Sequence, residues 1–155
     1  MRILMVCLGN ICRSPLAEGI LQHKINALSL DWTVDSAGTA AYHSGEAPDP
    51  RSRSIAQAHG LNINHQRARK LSTADFSDFD HILVMDRENE MNALSMANSP
   101  DARDKVKLML SFLPDGGPEE VPDPYYGGND GFQLVYDLLD AATDGFIASV
   151  NHDQE

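Results

Sequence analysis

The chain has 155 residues, of which 42% are hydrophobic and 23% charged, and its formal net charge is −11. This length is typical of one domain whose hydrophobic core is stable without disulfides or structural metals, so we predict a single domain over residues 1–155. The negative charge disfavours nucleic acid as a partner, since phosphate backbones require basic surfaces. No apolar run approaches the ~20 residues of a membrane span, and the N-terminal run is too short for a signal peptide, so we expect a cytoplasmic protein.

The first half of the chain predicts two strands and two helices. Residues 2–6 form an apolar run typical of a strand that is buried on both faces. Ser14 and Pro15 then predict a helix start, with a capping hydroxyl and a proline in the first turn. Residues 32–34 predict a second strand that ends at residues 35–36, followed by a loop to residue 48. A second helix is expected to begin at the next Asp-Pro pair and to end before Gly60.

The second half predicts two more strands, three more helical segments and a long loop. In chain order these are a short helical turn opened by residues 72–75, a strand at 81–85, a helix at 87–97 stopped by Ser99-Pro100, a strand at 106–110, a loop at 114–130 and a final helix over 132–150. Strands that alternate with helices predict an α/β fold: a three-layer, four-stranded parallel sheet with helices on both faces. Ligands of such sheets bind beyond the carboxyl ends of the strands.

The stretch between strand 1 and the first helix carries the strongest chemical signal, Cys7-Leu8-Gly9-Asn10-Ile11-Cys12-Arg13-Ser14. A thiolate is stabilised by a helix N-terminus and by a neighbouring cation, and Cys7 is expected to have both. The guanidinium of Arg13 matches two phosphate oxygens, and backbone N–H groups of the loop can surround an anion. Ser14 can donate a hydrogen bond to the Cys7 sulfur. The loop therefore predicts phosphoryl transfer through a covalent cysteinyl-phosphate.

Other interpretations of this stretch are weaker. It lacks the lysine and the spaced glycines of nucleotide-binding P-loops. Both cysteines of the chain lie in it, whereas a disulfide scaffold would spread its cysteines, so reactive thiols in a reducing compartment are favoured over two buried structural cysteines.

Residues 6–15 closely resemble the active-site loop of the low-molecular-weight protein tyrosine phosphatases. The resemblance covers essentially the whole chain and includes Asp123-Pro124-Tyr125-Tyr126. It implies that Cys7 is the nucleophile, that Arg13 binds phosphate, and that Asp123 is the general acid and later the base for water. It implies phosphotyrosine in proteins as substrate. The five histidines other than His65 have no metal-ligand spacing, so we expect no metal and no cofactor.

The resemblance also implies supporting roles for other residues. The loop backbone would bind phosphate through Gly9, Asn10, Cys12 and Ser14, and the pocket would have apolar walls from Leu8 and Ile11 and an entrance lined by Tyr42, Tyr125 and Tyr126. Related protein-arginine phosphatases carry threonine at the Ile11 position, so isoleucine favours phosphotyrosine. A hydrogen-bonded support would consist of Asn10, Ser36 and His65. Cys12 would capture an oxidised Cys7 as a reversible disulfide.

Three alternatives remain open at this point. An arsenate reductase shares this type of loop, but a thiol relay uses further cysteines and none follows Cys12. A non-catalytic phosphate-binding module would not need the nucleophile, the arginine and the acid together. A peroxide sensor that uses Cys7 and Cys12 could coexist with catalysis. For partners we expect phosphotyrosine-containing proteins. Inorganic phosphate and other oxyanions are expected as product or inhibitors, and the protein is expected to be a monomer.

Overall fold

The computed structural model describes residues 1–125 and 129–154. In this part of the chain, four strands form a parallel sheet in the order β2-β1-β3-β4. The strands are β1 Arg2–Cys7, β2 Thr33–Gly38, β3 His81–Val84 and β4 Val106–Leu108. The predicted α/β class and the four-stranded parallel sheet are confirmed.

Helices cover both faces of the sheet. They are α1 Arg13–Ala27, α2 Pro50–Ala58, α3 Asp75–Asp78, α4 Arg87–Met96, α5 Pro100–Asp104 and α6 Asn129–Gln154. Along β1, Ile3 and Met5 pack in a cluster with α1 and α6, whereas Leu4 and Val6 pack in a second cluster with α3, α4 and α5. The central strand is thus buried on both faces, which explains why its sequence is continuously apolar rather than alternating. Among the described helices, none combines the length and apolar character needed to cross a membrane.

The clearest departures from the predicted elements concern α5, β4 and β2. Ser99-Pro100 does not only end a helix but begins α5, because the Ser99 hydroxyl accepts a hydrogen bond from the Ala102 N–H at 3.1 Å. The last strand stops at Leu108, and a 3-10 helix, Met109–Phe112, follows it. Consecutive Met109 and Leu110 are both buried in the same cluster, which an alternating strand does not allow.

The second strand is longer than predicted and continues to Gly38, which pairs with Cys7 at the end of β1. A Cβ atom at Gly38 would lie 2.7 Å from the Leu8 carbonyl oxygen and 3.1 Å from the Asn10 nitrogen. The end of β2 therefore approaches the loop after β1 so closely that only glycine fits there without displacing the loop.

Gly145 provides a test of the packing of α6. A Cβ atom at this position would overlap the Phe112 carbonyl of the 3-10 helix, whereas one at Gly131 of the same helix would make an ordinary contact with Pro124, at 3.6 Å. We expect Gly145→Ala to lower the free energy of unfolding by about 1–3 kcal/mol. The matched Gly131→Ala should be neutral or stabilise by up to about 1 kcal/mol. Urea unfolding measures both, and equal effects would contradict the close packing.

Candidate active site

A pocket of about 100 Å³ lies at the carboxyl end of β1. Its lining residues are Cys7, Leu8, Gly9, Ile11, Cys12, Arg13, Tyr42, His43, Asp123 and Tyr125. The structure thus brings together the three predicted catalytic residues and six of the predicted binding residues. Asn10, Ser14 and Ser36 are buried and lie outside this lining. Tyr126 lies outside the described residues.

The Cys7 sulfur has a hydroxyl partner in Ser14. The Sγ–Oγ distance is 3.0 Å, and Ser14 Oγ also accepts a hydrogen bond from the Asn10 side-chain amide at 2.8 Å. Because the amide nitrogen only donates, the single proton of the Ser14 hydroxyl is directed to the sulfur, where it stabilises a thiolate. The expectation that this hydroxyl also caps α1 is wrong: the N-cap is Cys12, and no side-chain cap bond is formed.

Asn10 ties the loop to its surroundings. Its backbone has a φ of 58°, a left-handed conformation that asparagine tolerates better than most residues. The amide nitrogen also donates to Ser36 Oγ at 3.0 Å, and the amide oxygen accepts the Arg69 N–H at 3.0 Å. Ser36 in turn donates to a carboxylate oxygen of Glu18 at 2.7 Å. The predicted pair of Asn10 and Ser36 is therefore present.

His65 is not part of this network. It is exposed and borders a separate pocket with Glu18, and within the described residues no hydrogen bond joins it to Asn10 or Ser36. Its neighbour Gln66 is buried and donates to the Pro15 carbonyl at 3.1 Å. Glu18, which the sequence analysis missed, completes the support. Its position four residues after Ser14 places it on the same side of α1, a signal that the sequence did contain.

Arg13 is the largest buried polar side chain at the site, with 2% of it exposed. Nη1 lies 2.7 Å from Asp86 Oδ2 and donates to the Val121 carbonyl at 2.9 Å, and Nη2 lies 3.6 Å from Asp123 Oδ2. Burial opposes the charged form, but the facing Cys7 sulfur and the Asp86 carboxylate outweigh burial and raise the pKa of Arg13. Arg13 is thus charged and oriented before any anion binds.

Asp86 is a second residue that the sequence analysis missed. It caps α4, since Oδ1 accepts the Asn89 N–H at 2.7 Å, while Oδ2 holds Arg13. It follows β3, the strand beside β1, so its location at the carboxyl edge of the sheet was the available signal.

Cys12 is the second buried cysteine of the loop. Burial, with a contribution from Asp49, raises the pKa of Cys12 to about 12, so this side chain is a neutral thiol near pH 7. Both cysteines are free. Within residues 1–125 and 129–154, no group of three or more His, Cys, Asp or Glu residues could hold a metal ion.

The rim of the pocket carries aromatic side chains. Tyr42 is 77% exposed and Tyr125 is 37% exposed, and both line the pocket. His43, which the sequence analysis did not select, lies between the loop and the rim: its ring centroid is 6.1 Å from that of Tyr125, and its Nδ1 lies 2.7 Å from Glu46 Oε2.

Glu18 makes the stability of the folded protein depend on pH. Burial raises the pKa of Glu18 from 4.5 to about 7, and Asp35 adds to the effect. Between these values the folded protein binds more protons than the unfolded chain, so this group lowers stability as pH rises. Glutamine at this position does not titrate. We therefore expect the free energy of unfolding of Glu18→Gln, minus that of wild type, to be about 2 kcal/mol larger at pH 8 than at pH 5.

Urea unfolding at both pH values measures this difference. Glu88→Gln, at an exposed position on α4, is the matched control. A difference between Glu18→Gln and wild type that stays constant with pH would contradict the perturbed carboxyl.

Comparison with known proteins agrees with this geometry. Residues 2–155 match the family described as low molecular weight phosphotyrosine protein phosphatase. A putative low molecular weight protein-tyrosine-phosphatase of Synechocystis sp. is 42% identical over 152 residues, which are 97% of this chain and 96% of that protein.

Two solved structures are also similar. A protein tyrosine phosphatase of Entamoeba histolytica, with Hepes in its active site, has a TM-score of 0.94 at 36% identity and covers 100% of this chain and 99% of its own. An arginine phosphatase of Drosophila has a TM-score of 0.89 at 35% identity and covers 97% and 98%. The fold, the loop after β1 and the match over nearly every residue lead to one conclusion: this chain belongs to the low molecular weight phosphotyrosine protein phosphatase family.

Proposed function

We propose that the chain hydrolyses phosphotyrosine in proteins, and small aryl phosphates, through a cysteinyl-phosphate intermediate, with residues 1–155 acting as one catalytic domain. One observation carries the proposal. A buried thiol with a hydroxyl donor, a buried guanidinium and a carboxyl group line the same small pocket beneath an aromatic rim.

In the first step the Cys7 thiolate attacks phosphorus. The S–P bond forms as the bond from phosphorus to the aryl oxygen breaks, and Asp123 gives its proton to the leaving phenolate. Arg13 binds two phosphate oxygens with the fork that Asp86 and Val121 hold in place. Backbone N–H groups of the loop can donate hydrogen bonds to the phosphoryl oxygens as charge develops on them.

In the second step water attacks the cysteinyl-phosphate. Asp123, now a carboxylate, removes a proton from the water, the S–P bond breaks, and inorganic phosphate leaves with the Cys7 thiolate restored. The Ser14 hydroxyl stabilises sulfur as a leaving group in this step by the hydrogen bond that it makes with the thiolate. Phosphate and other oxyanions of similar shape compete with the substrate for the loop after β1 and for Arg13.

The nucleophile bears on the compartment in which the enzyme acts. The nucleophile must be a free thiol, and both cysteines are free, which supports action in a reducing compartment, the cytoplasm. Its partners are phosphotyrosine-containing proteins, and the exposed ring of Tyr42 suits a substrate presented on a protein surface. We propose that the enzyme acts as a monomer.

Turnover of phenyl phosphate tests the assignment of the nucleophile and the acid. We expect Cys7→Ser to abolish turnover and Asp123→Ala to lower kcat/KM by about 10²–10⁴-fold, because the phenolate then leaves unprotonated. Asp115→Ala, an exposed acid of the same long loop, is the matched control and should behave as wild type. Excess chelator should not change the rate. Full activity of Cys7→Ser, or loss of activity in chelator, would contradict the mechanism.

Phosphoarginine is the second candidate substrate, because one structure with the same fold is that of an arginine phosphatase. Ile11 bears on the choice. It lines the pocket with 8% of its surface exposed and offers an apolar wall to an aromatic ring, but no hydrogen bond to a guanidinium. This wall supports phosphotyrosine as the preferred substrate.

Ile11→Thr tests the preference. We expect wild type to favour a phosphotyrosine peptide over the matched phosphoarginine peptide, and Ile11→Thr to reduce that kcat/KM ratio roughly tenfold or more. Ile11→Val, which has the shape of threonine without its hydroxyl, separates lost volume from the added hydrogen bond. A wild-type preference for phosphoarginine would overturn the substrate assignment.

A further inference from the structure

The N-terminus of α2 is fastened to the phosphate-binding loop. The Asp49 N–H donates to the Ile11 carbonyl at 2.8 Å, and Ser52 Oγ donates to the Cys12 carbonyl at 3.3 Å. Asp49 and Ser52 are both buried. The first turn of this helix is therefore fixed relative to the loop that holds the nucleophile.

Arg51 is held rigidly on this helix by Asp49. Its Nε and Nη2 each lie 3.1 Å from a carboxylate oxygen of Asp49, and the same carboxylate caps α2 by accepting the Arg51 N–H at 2.8 Å. Burial works against the ionised carboxyl, but Arg51 outweighs burial and lowers the pKa of Asp49. A bidentate pair of this kind fixes the direction of the guanidinium.

Arg51 also contacts the segment that carries Asp123. Its Nη2 donates to the Tyr125 carbonyl at 2.9 Å, and its Cζ lies 5.6 Å from the Tyr125 ring centroid and 4.8 Å from that of Phe132. Tyr125 in turn donates its backbone N–H to Asp123 Oδ1 at 3.0 Å. Two hydrogen bonds thus connect the guanidinium of Arg51 to the carboxyl of Asp123.

We propose that Arg51 is a positioning residue for the general acid. It does not line the pocket and does not touch the phosphate; it holds residues 123–125 at a set distance from the loop of Cys7. The proposal rests on the proposed function, in which Asp123 protonates the leaving group. Without the bond to Tyr125, the carboxyl of Asp123 faces the leaving oxygen for a smaller share of the time.

The dependence on leaving group tests this role. Phenyl phosphate needs a proton donor, whereas 2,4-dinitrophenyl phosphate releases a stable anion without one. We expect Arg51→Met to lower kcat/KM about tenfold on phenyl phosphate, a fraction of what loss of the acid costs, and to change it less than about twofold on the dinitrophenyl ester. Arg51→Lys, which keeps the charge but loses the bidentate fork, should lie between wild type and Arg51→Met.

Arg53 offers a matched control on the same helix, since its guanidinium donates to the Pro48 carbonyl at 3.0 Å rather than to the segment of the acid. Arg53→Met should leave both substrates at wild-type rates. A similar fall on both esters for Arg51→Met and Arg51→Lys would overturn the proposal, because a general disturbance of the fold does not discriminate between leaving groups.

A double-mutant cycle provides the second test. If Arg51 acts through Asp123, Arg51→Met has no further effect on phenyl phosphate turnover in the Asp123→Ala background. A full tenfold loss in that background would overturn the proposal. Failure of the proposed function has a different signature: phenyl phosphate turnover by the wild type would not depend on Cys7 at all.

Discussion

Arg13 carries a positive charge although only 2% of its side chain is exposed, and the rest of the site is arranged around that charge. An ion buried without partners is strongly unfavourable, and removing one partner of a buried pair costs roughly 3–5 kcal/mol. Asp86 and the Val121 carbonyl meet that requirement at 2.7 and 2.9 Å. Three separate segments, the loop after β1, the end of β3 and residues 121–123, therefore meet at one guanidinium. The charge that is proposed to bind phosphate also holds these three segments together.

Beneath the sulfur, the direction of the hydrogen bonds is set by a group that can only donate. The Asn10 amide nitrogen donates to the Ser14 and Ser36 hydroxyls at once. Each hydroxyl must then direct its own proton away from Asn10, one to the Cys7 sulfur and the other to Glu18. The Cys7 sulfur thus faces a donor that is already oriented, so this hydrogen bond needs no reorganisation when negative charge is present on sulfur.

The residues alone predicted the chemistry of the loop after β1, whereas distant site residues such as Asp123 and Ser36 were reached only through the family resemblance, and Asp86 was missed. Cys7, Arg13 and Ser14 lie within eight consecutive residues, so their spacing between a strand and a helix carries the chemistry. Asp86 is 73 residues from Arg13 along the chain, and no local pattern joins them. His65 and Gln66 show the limit of residue-level reasoning, because the two are adjacent and the backbone buries Gln66 and exposes its neighbour.

The two Ser-Pro pairs differ from the predicted secondary structure. Residues 14–15 were expected to cap a helix through the hydroxyl, and residues 99–100 were expected only to stop one. In the structure the hydroxyl of Ser99 caps α5, whereas that of Ser14 is bound to the Cys7 sulfur and the Asn10 amide. The local preference for a cap is similar in both pairs. The difference is that Ser14 Oγ lies 3.0 Å from the buried Cys7 sulfur, a partner that the local sequence also predicted and that replaces the cap.

The proposed reaction requires a constant distance between the loop of Cys7 and the segment of Asp123, and neither segment can set that distance alone. In the proposed mechanism Asp123 acts twice, first as acid and then as base, on the side of phosphorus opposite Cys7, so the loop of Cys7 and the segment of Asp123 must keep one separation through both steps. The loops are more than a hundred residues apart in sequence. The first turn of α2 contacts both: it binds the loop carbonyls of Ile11 and Cys12 on one side and, through Arg51, the Tyr125 carbonyl on the other. A short helix that is outside the pocket thus joins the two segments that carry the proposed nucleophile and the proposed acid.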